Sequence, residues 1–241
     1  MKLSEESNIG ELVAEDYRAA SVFESFGIDF CCKGNRSINE VCEERGIKTS
    51  TLIEDLNTAL AKENAGSIDY TQWPLDLLVD YIEKKHHRYV EKQIPILKQY
   101  LAKICSVHGN HHPELFKINE MFIESAGEFT AHMKKEELLL FPFIKKLATA
   151  EITSSTVTVP GFGTVENPIQ SMMADHLAEG DRFREISELS NNYTAPADGC
   201  NTYKVTYALL KEFEADLHVH IHLENNILFP KAIQLEKSLM N

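Results

Sequence analysis

One pattern, written twice, constrains this chain more than any other. His132-Met133-Lys134-Lys135-Glu136 is followed by Phe141-Pro142, and His220-Ile221-His222-Leu223-Glu224 by Phe229-Pro230. In each copy glutamate lies four residues after histidine, and Phe-Pro nine and ten residues after it. Positions i and i+4 share a helix face, so each copy aims one imidazole and one carboxylate in the same direction. His87 precedes the first copy by 45 residues and His176 precedes the second by 44. Two hairpins of matched length, each with a histidine on its first helix and a His/Glu pair on its second, predict a duplicated bundle with metal-binding residues in its core.

The punctuation of the chain agrees. Four long helices are expected over roughly 74–104, 113–147, 168–190 and 202–236. Gly109 to Pro113 breaks the first pair, and Asn191 to Asn201 joins the second. The stretch 151–168 separates the halves; its Thr-Val alternation at 154–159 allows a short strand, though a loop fits its Pro and Gly content better. Pro142 and Pro230 are expected to kink or end their helices, with Phe141 and Phe229 as core packing. Residues 1–66 read as a small helical domain. Asn8 can cap its first helix, and Ser37-Ile38-Asn39-Glu40 and Thr51-Leu52-Ile53-Glu54 are capping-box patterns. A polar, turn-rich stretch over 63–74 is the expected boundary, with the bundle occupying 74–241. The fold class is therefore all-α: an antiparallel four-helix bundle with a small N-terminal helical domain.

Composition narrows the partners. A net charge of -13 argues against nucleic acid and against an anionic membrane surface. No run is long and apolar enough to span a bilayer, and the opening MKLSEESNIG lacks the apolar stretch of a secretory signal. Five cysteines, an odd number, fit a reducing cytoplasm better than a disulfide scaffold. Cys42, Cys105 and Cys200 read as structural. Cys31-Cys32 is different: Gly27 and Gly34 flank it, as in an exposed turn that presents the pair for redox exchange or for metal or nitrosyl capture.

The histidines need sorting. His218 and His222 are an i, i+4 pair pointing away from His220, but their counterparts Thr130 and Lys134 make no rival site. They are expected at the surface or behind the ligands. His108, His111 and His112 fall in an expected loop. On the first helix, periodicity puts His86 near the centre of the apolar stripe and His87 near its edge, so both remain candidates. Four histidines and two glutamates suit two ferrous or ferric ions better than a structural zinc, and a bridging oxide or hydroxide would help neutralise a ferric pair.

Taken together, these segments resemble a known family. Asp29-Phe30-Cys31-Cys32-Lys33-Gly34, His86-His87-Arg88-Tyr89 with Gln93-Ile94-Pro95, the His132 to Pro142 segment, the His176 segment and Leu223 to Pro230 are similar to iron–sulfur cluster repair di-iron proteins of the repair of iron centres type. Those proteins join a small Cys-Cys domain to a haemerythrin-like domain. The resemblance implies a non-haem di-iron centre with His87, His132, His176 and His220 as terminal ligands and Glu136 and Glu224 as carboxylate bridges. It selects His87 over His86, because His87 lies eight residues before Pro95. It implies repair of clusters damaged by nitrosative or oxidative stress, by donation of iron to damaged or apo iron–sulfur proteins, and a homodimer. Nitric oxide reduction at the centre, with Cys31 and Cys32 passing a nitrosyl group or electrons, is a competing enzymatic reading. A dioxygen carrier or sensor fits less well, because neither copy of the repeat has the His-x-x-x-x-Asp pattern of such carriers.

Overall fold

The computed structural model describes residues 3–61 and 68–240. Most of these residues are helical. Among them no strand forms, and the nearest approach is an isolated bridge between Asn8 and Ser37.

Four short helices come first: α1 (Ile9–Glu15), α2 (Arg18–Ser25), α3 (Ile38–Arg45) and α4 (Thr49–Leu60). Asn8 caps α1 by accepting the Glu11 amide, and Ser37 and Glu40 close a reciprocal capping box on α3. Gly46, at φ 65°, ends α3 in the left-handed region. The second expected box does not form: α4 starts at Thr49, so Thr51 already lies inside the helix. The first part of the expected boundary, 63–67, lies outside the described residues. The remainder is packed rather than open. Tyr70 lies against Trp73 and Tyr81, and Lys231 Nζ donates to the carbonyls of Thr71 and Trp73.

The four long helices match expectation and run somewhat longer. α5 comprises Leu75–Tyr81, a π-turn Ile82–His87 and Arg88–His108. α6 comprises Glu114–Lys135, a π-turn Glu136–Leu140 and Phe141–Thr153. α7 is Glu166–Leu189. α8 comprises Asn201–Leu223, a π-turn Glu224–Leu228 and Phe229–Met240. Each packs on its neighbours in the ring α5–α6–α7–α8, as antiparallel hairpins with short connections should. His108 lies in the last turn of α5, not in a loop. Residues 154–159 form a loop that opens with Ser154 at φ 50°.

The prolines of the repeat do not end their helices; α6 and α8 continue to Thr153 and Met240. Each follows a π-turn, in which the amide of Phe141 bonds back to Glu136 and that of Phe229 to Glu224. A proline has no N–H, and its ring clashes with the carbonyl four residues back. The wider π-turn relieves both conflicts, and π-turns of this kind cluster at functional sites.

The core has two parts. One joins Leu75, Ile82, Phe143, Leu147, Ile169, Leu228 and Leu235 at the end of the bundle where α5 begins. The other runs from Ile104, Phe122 and Phe213 into Ile9, Phe23, Phe30 and Leu52 of the N-terminal helices. Those helices thus share one apolar core with α5 to α8. Burying a side chain of this size contributes on the order of 1.5–3 kcal/mol.

Candidate metal centre

The π-turns all meet at one level of the bundle, and the six residues singled out by the repeat converge there. His87, His132, Glu136, His176, His220 and Glu224 are all at most 2% exposed. Their donor atoms form two overlapping groups, His87/Glu136/His220/Glu224 and His132/Glu136/His176/Glu224, each with its atoms within 4.8 Å of one another. The two carboxylates belong to both groups. Glu136 Oε2 lies 3.4 Å from His87 Nε2, while its Oε1 lies 3.3 Å from His132 Nε2. Glu224 Oε1 lies 3.1 Å from His220 Nε2, while its Oε2 lies 3.2 Å from His176 Nε2. Each carboxylate therefore spans the two histidine pairs.

The duplication extends past the ligands. The residue after each glutamate bonds the Nδ1 of a histidine on the preceding helix: Glu137 Oε1 with His87 at 3.1 Å, and Asn225 Oδ1 with His176 at 2.9 Å. The phenylalanine of each Phe-Pro stacks on the same histidine, Phe141 on His87 at 19° and Phe229 on His176 at 1°. The Phe-Pro signal thus builds an aromatic wall and a π-turn beside each histidine. The symmetry breaks at the residue before that histidine. Asp175 bonds His132 Nδ1 at 3.2 Å, whereas its counterpart His86 stacks on His220 and bonds Asp216 at 3.0 Å. This separates the two first-helix candidates: His87 joins the cluster, and His86 is buried beside it.

The donor set fits a pair of cations. Both oxygens of Glu136 and of Glu224, together with His87 Nε2 and both ring nitrogens of His220, are buried without a hydrogen-bond partner. Such orphaned groups are costly unless something fills the space between them. His132 and His176 make the case sharper. Each donates its Nδ1–H, to Asp175 and Asn225 respectively, which leaves a lone pair on each Nε2. Those two Nε2 atoms face each other at 3.0 Å, an arrangement that a cation between them relieves. Without metal, protons partly compensate. Burial pushes the His132 imidazole down, but Glu136 overcomes this and raises it to about 9. Burial likewise favours neutral Glu224, yet His220 and His176 hold it well below the usual carboxylate range.

Other residues sit differently from expectation. Cys31 and Cys32 are not presented to solvent: Cys31 is buried and Cys32 half-buried. Their loop lies on the bundle. Cys32 Sγ donates to the His176 carbonyl at 3.3 Å, and Asn225 and Asn226 donate to the carbonyls of Cys31 and Phe30. Hydrogen bonding with Cys32, then burial, raises the Cys31 thiol well above its ordinary range. His222 is buried against Tyr17 and Phe30, and burial depresses it to about 4. His218 packs on Phe30; the two histidines seat the N-terminal loop instead of forming a second site. Cys200 is exposed rather than structural, and a hydrogen bond with His108 lowers its thiol to about 7. Sequence reasoning missed Glu137 and Asn225. Their signal was present: a polar residue directly after glutamate in both copies of a buried pattern.

Comparison with known proteins agrees with this geometry. Residues 78–232 match the hemerythrin HHE cation binding domain, and residues 5–60 match ScdA_N, a domain of unknown function (DUF542). The chain is therefore a haemerythrin-type protein with a cation-binding domain, and its buried His/Glu cluster has the donor atoms to hold metal ions. It is 31% identical over 229 residues to the iron-sulfur cluster repair protein ScdA of Staphylococcus haemolyticus, covering 95% of this chain and 99% of that one. It is 32% identical over 230 residues to the iron-sulfur cluster repair protein YtfE of Yersinia pseudotuberculosis, covering 95% and 97%. The chain belongs to this family of iron–sulfur cluster repair proteins.

Proposed function

We propose that this protein repairs damaged iron–sulfur clusters by donating iron from a two-iron centre. His87 and His220 would hold one ion, His132 and His176 the other, and Glu136 and Glu224 both. The carrying observation is the pair of buried carboxylates, each facing both histidine pairs. Bound there, iron supplies a redox-active cation that can be surrendered to a client. The residues provide the rest. Phe129, Phe141 and Phe229 line the imidazoles with apolar rings, while Glu137, Asp175 and Asn225 fix three of the four rings by their Nδ1 atoms. Only two histidines would serve each ion and the carboxylates would be shared, which suits iron that must leave as well as bind.

The clients would be damaged or apo iron–sulfur proteins under nitrosative or oxidative stress, in a reducing cytoplasm. No helix among the described residues is long and apolar enough to cross a membrane. Nitric oxide or dioxygen would be the small ligands, and a homodimer the assembly. The deciding experiment incubates anaerobically iron-loaded protein with an inactivated [4Fe–4S] enzyme. Labelled iron should appear in the client as its activity returns. Recovery without transfer of label would reject donation.

A second reading, nitric oxide reduction, is supported by the Cys31-Cys32 pair lying against His176. Repeated turnover to nitrous oxide with a reductant would favour it, and a stoichiometric nitrosyl end point would exclude it.

A further inference from the structure

Besides the bundle centre, one more group of potential ligands comes together among the described residues: Asp29, Cys31 and Cys32, with donor atoms within 4.8 Å of one another. The two thiols are free and 3.7 Å apart. Asp29 Oδ1 accepts from the Cys32 amide at 2.9 Å and from the Cys31 thiol at 3.4 Å. The carboxylate is thus already turned toward both sulfurs.

The surroundings suit a cation. Asp29 and Cys31 line a cleft of about 590 Å³ between the N-terminal helices and the bundle. Cys32 reaches the other way, to the carbonyl of His176. Two thiolates and a carboxylate would carry three negative charges. Arg184, 3.5 Å from Asp29 Oδ2, offsets one, and a divalent cation would offset the other two. The bundle also makes room for sulfur: a Cβ on Gly180 would lie 3.0 Å from Cys32 Sγ. A close approach of this kind is a reason for glycine inside a long helix.

We infer that Asp29, Cys31 and Cys32 form a third metal site, for one borderline or soft divalent cation of the ferrous iron or zinc class. Thiolate ligands select such ions over magnesium or calcium. Binding releases two thiol protons to solvent and leaves the ion short of four protein ligands, open to a donor arriving through the cleft. As a relay for iron moving to or from the bundle, the site rests on the donor reading above; as a site, it does not.

The test uses metal-free, reduced full-length protein in a Cys200→Ser background, which removes the exposed thiol. Cadmium is titrated in under anaerobic conditions. Equilibrium dialysis counts the bound ions, and ultraviolet absorption follows thiolate-to-cadmium charge transfer. Three ions per chain are expected, with the thiolate band saturating after one of them. Cys31→Ser/Cys32→Ser should bind two ions with no band. Gly180→Ala, which adds no donor atom but crowds Cys32 Sγ, should weaken the band-forming step alone. A wild-type titration without the band, or a band that survives the double serine change, would overturn the site. Failure of the bundle reading is distinguishable, because it would leave one ion with its band intact. For the relay, iron transfer from the loaded double-serine protein to a client should slow while stored iron stays at two per chain. An unchanged transfer rate would reject that role.

Discussion

His176 and Cys31 are joined through a single side chain. Asn225 Oδ1 accepts from His176 Nδ1 at 2.9 Å, and Asn225 Nδ2 donates to the Cys31 carbonyl at 3.1 Å. The amide has one acceptor and one donor end, and both are used within the buried interior. The orientation of an imidazole in the His/Glu cluster and the seating of the cysteine loop are therefore one constraint.

Replacing Asn225 separates the two halves of that constraint. Asn225→Ala should weaken metal retention about 10- to 100-fold, the usual cost of losing the group that orients a ligating histidine. It should also speed alkylation of Cys32. Asn225→Asp keeps an acceptor for His176, so it should restore most of the metal affinity but not the protection of Cys32. Competition with a chelator, alongside thiol labelling, reads both.

The two carboxylates should fail together. Because Glu136 and Glu224 each face both histidine pairs, Glu136→Ala or Glu224→Ala should remove both ions, not one. Elemental analysis of anaerobically purified protein decides this. Clean retention of a single ion would mean that the carboxylates act separately.

His86 and His87 should behave oppositely despite similar burial. His87→Ala should empty its half of the centre. His86→Ala should keep both ions and lose stability, because Asp216 forfeits its partner. Metal content together with urea unfolding separates these outcomes.

Phe141→Ala should cost about 3–5 kcal/mol in the metal-free protein, as for other large buried aromatics. Phe141 is 1% exposed and stacks on His87, so the loss should be accompanied by weaker metal binding. Chemical denaturation with and without metal measures both.

Cys200 gives a pH-dependent signature of its own. Its thiol is lowered from 9.0 to about 7, chiefly by the His108 hydrogen bond. A depressed thiol is increasingly ionised as pH rises through that value, and the thiolate is the reactive form. Alkylation of Cys200 should therefore rise with a midpoint near pH 7. His108→Ala should move the midpoint upward, toward the ordinary thiol value.

How far the sequence reveals this molecule follows from the range of each interaction. The His/Glu/Phe-Pro repeat was legible because its parts lie within one helix and recur at fixed spacing. His86 and His87 could not be ranked by periodicity, because the π-turn at Ile82–His87 changes the angular step where it matters. The cysteine loop misled for another reason. Its glycines read as marks of an exposed turn, yet Gly34 is a close-approach residue: a Cβ there would lie 2.3 Å from the Phe30 carbonyl and 3.1 Å from Asn226 Oδ1 of the bundle. Glycine signals tight backbone contact as readily as exposure, and only the docked bundle distinguishes the two. Asp175 and Asp216 reach their histidines across helices, and no local pattern reports such pairs.

The exchange of histidines between the halves has its own consequence. His87 groups with His220, and His132 with His176, so each proposed ion takes one imidazole from the first hairpin and one from the second. Neither hairpin owns a complete site. Ions bound there would act as rivets across the seam of the duplication. Cutting the loop at 154–165 should leave two fragments that stay together while metal is bound and come apart more readily when it is withdrawn.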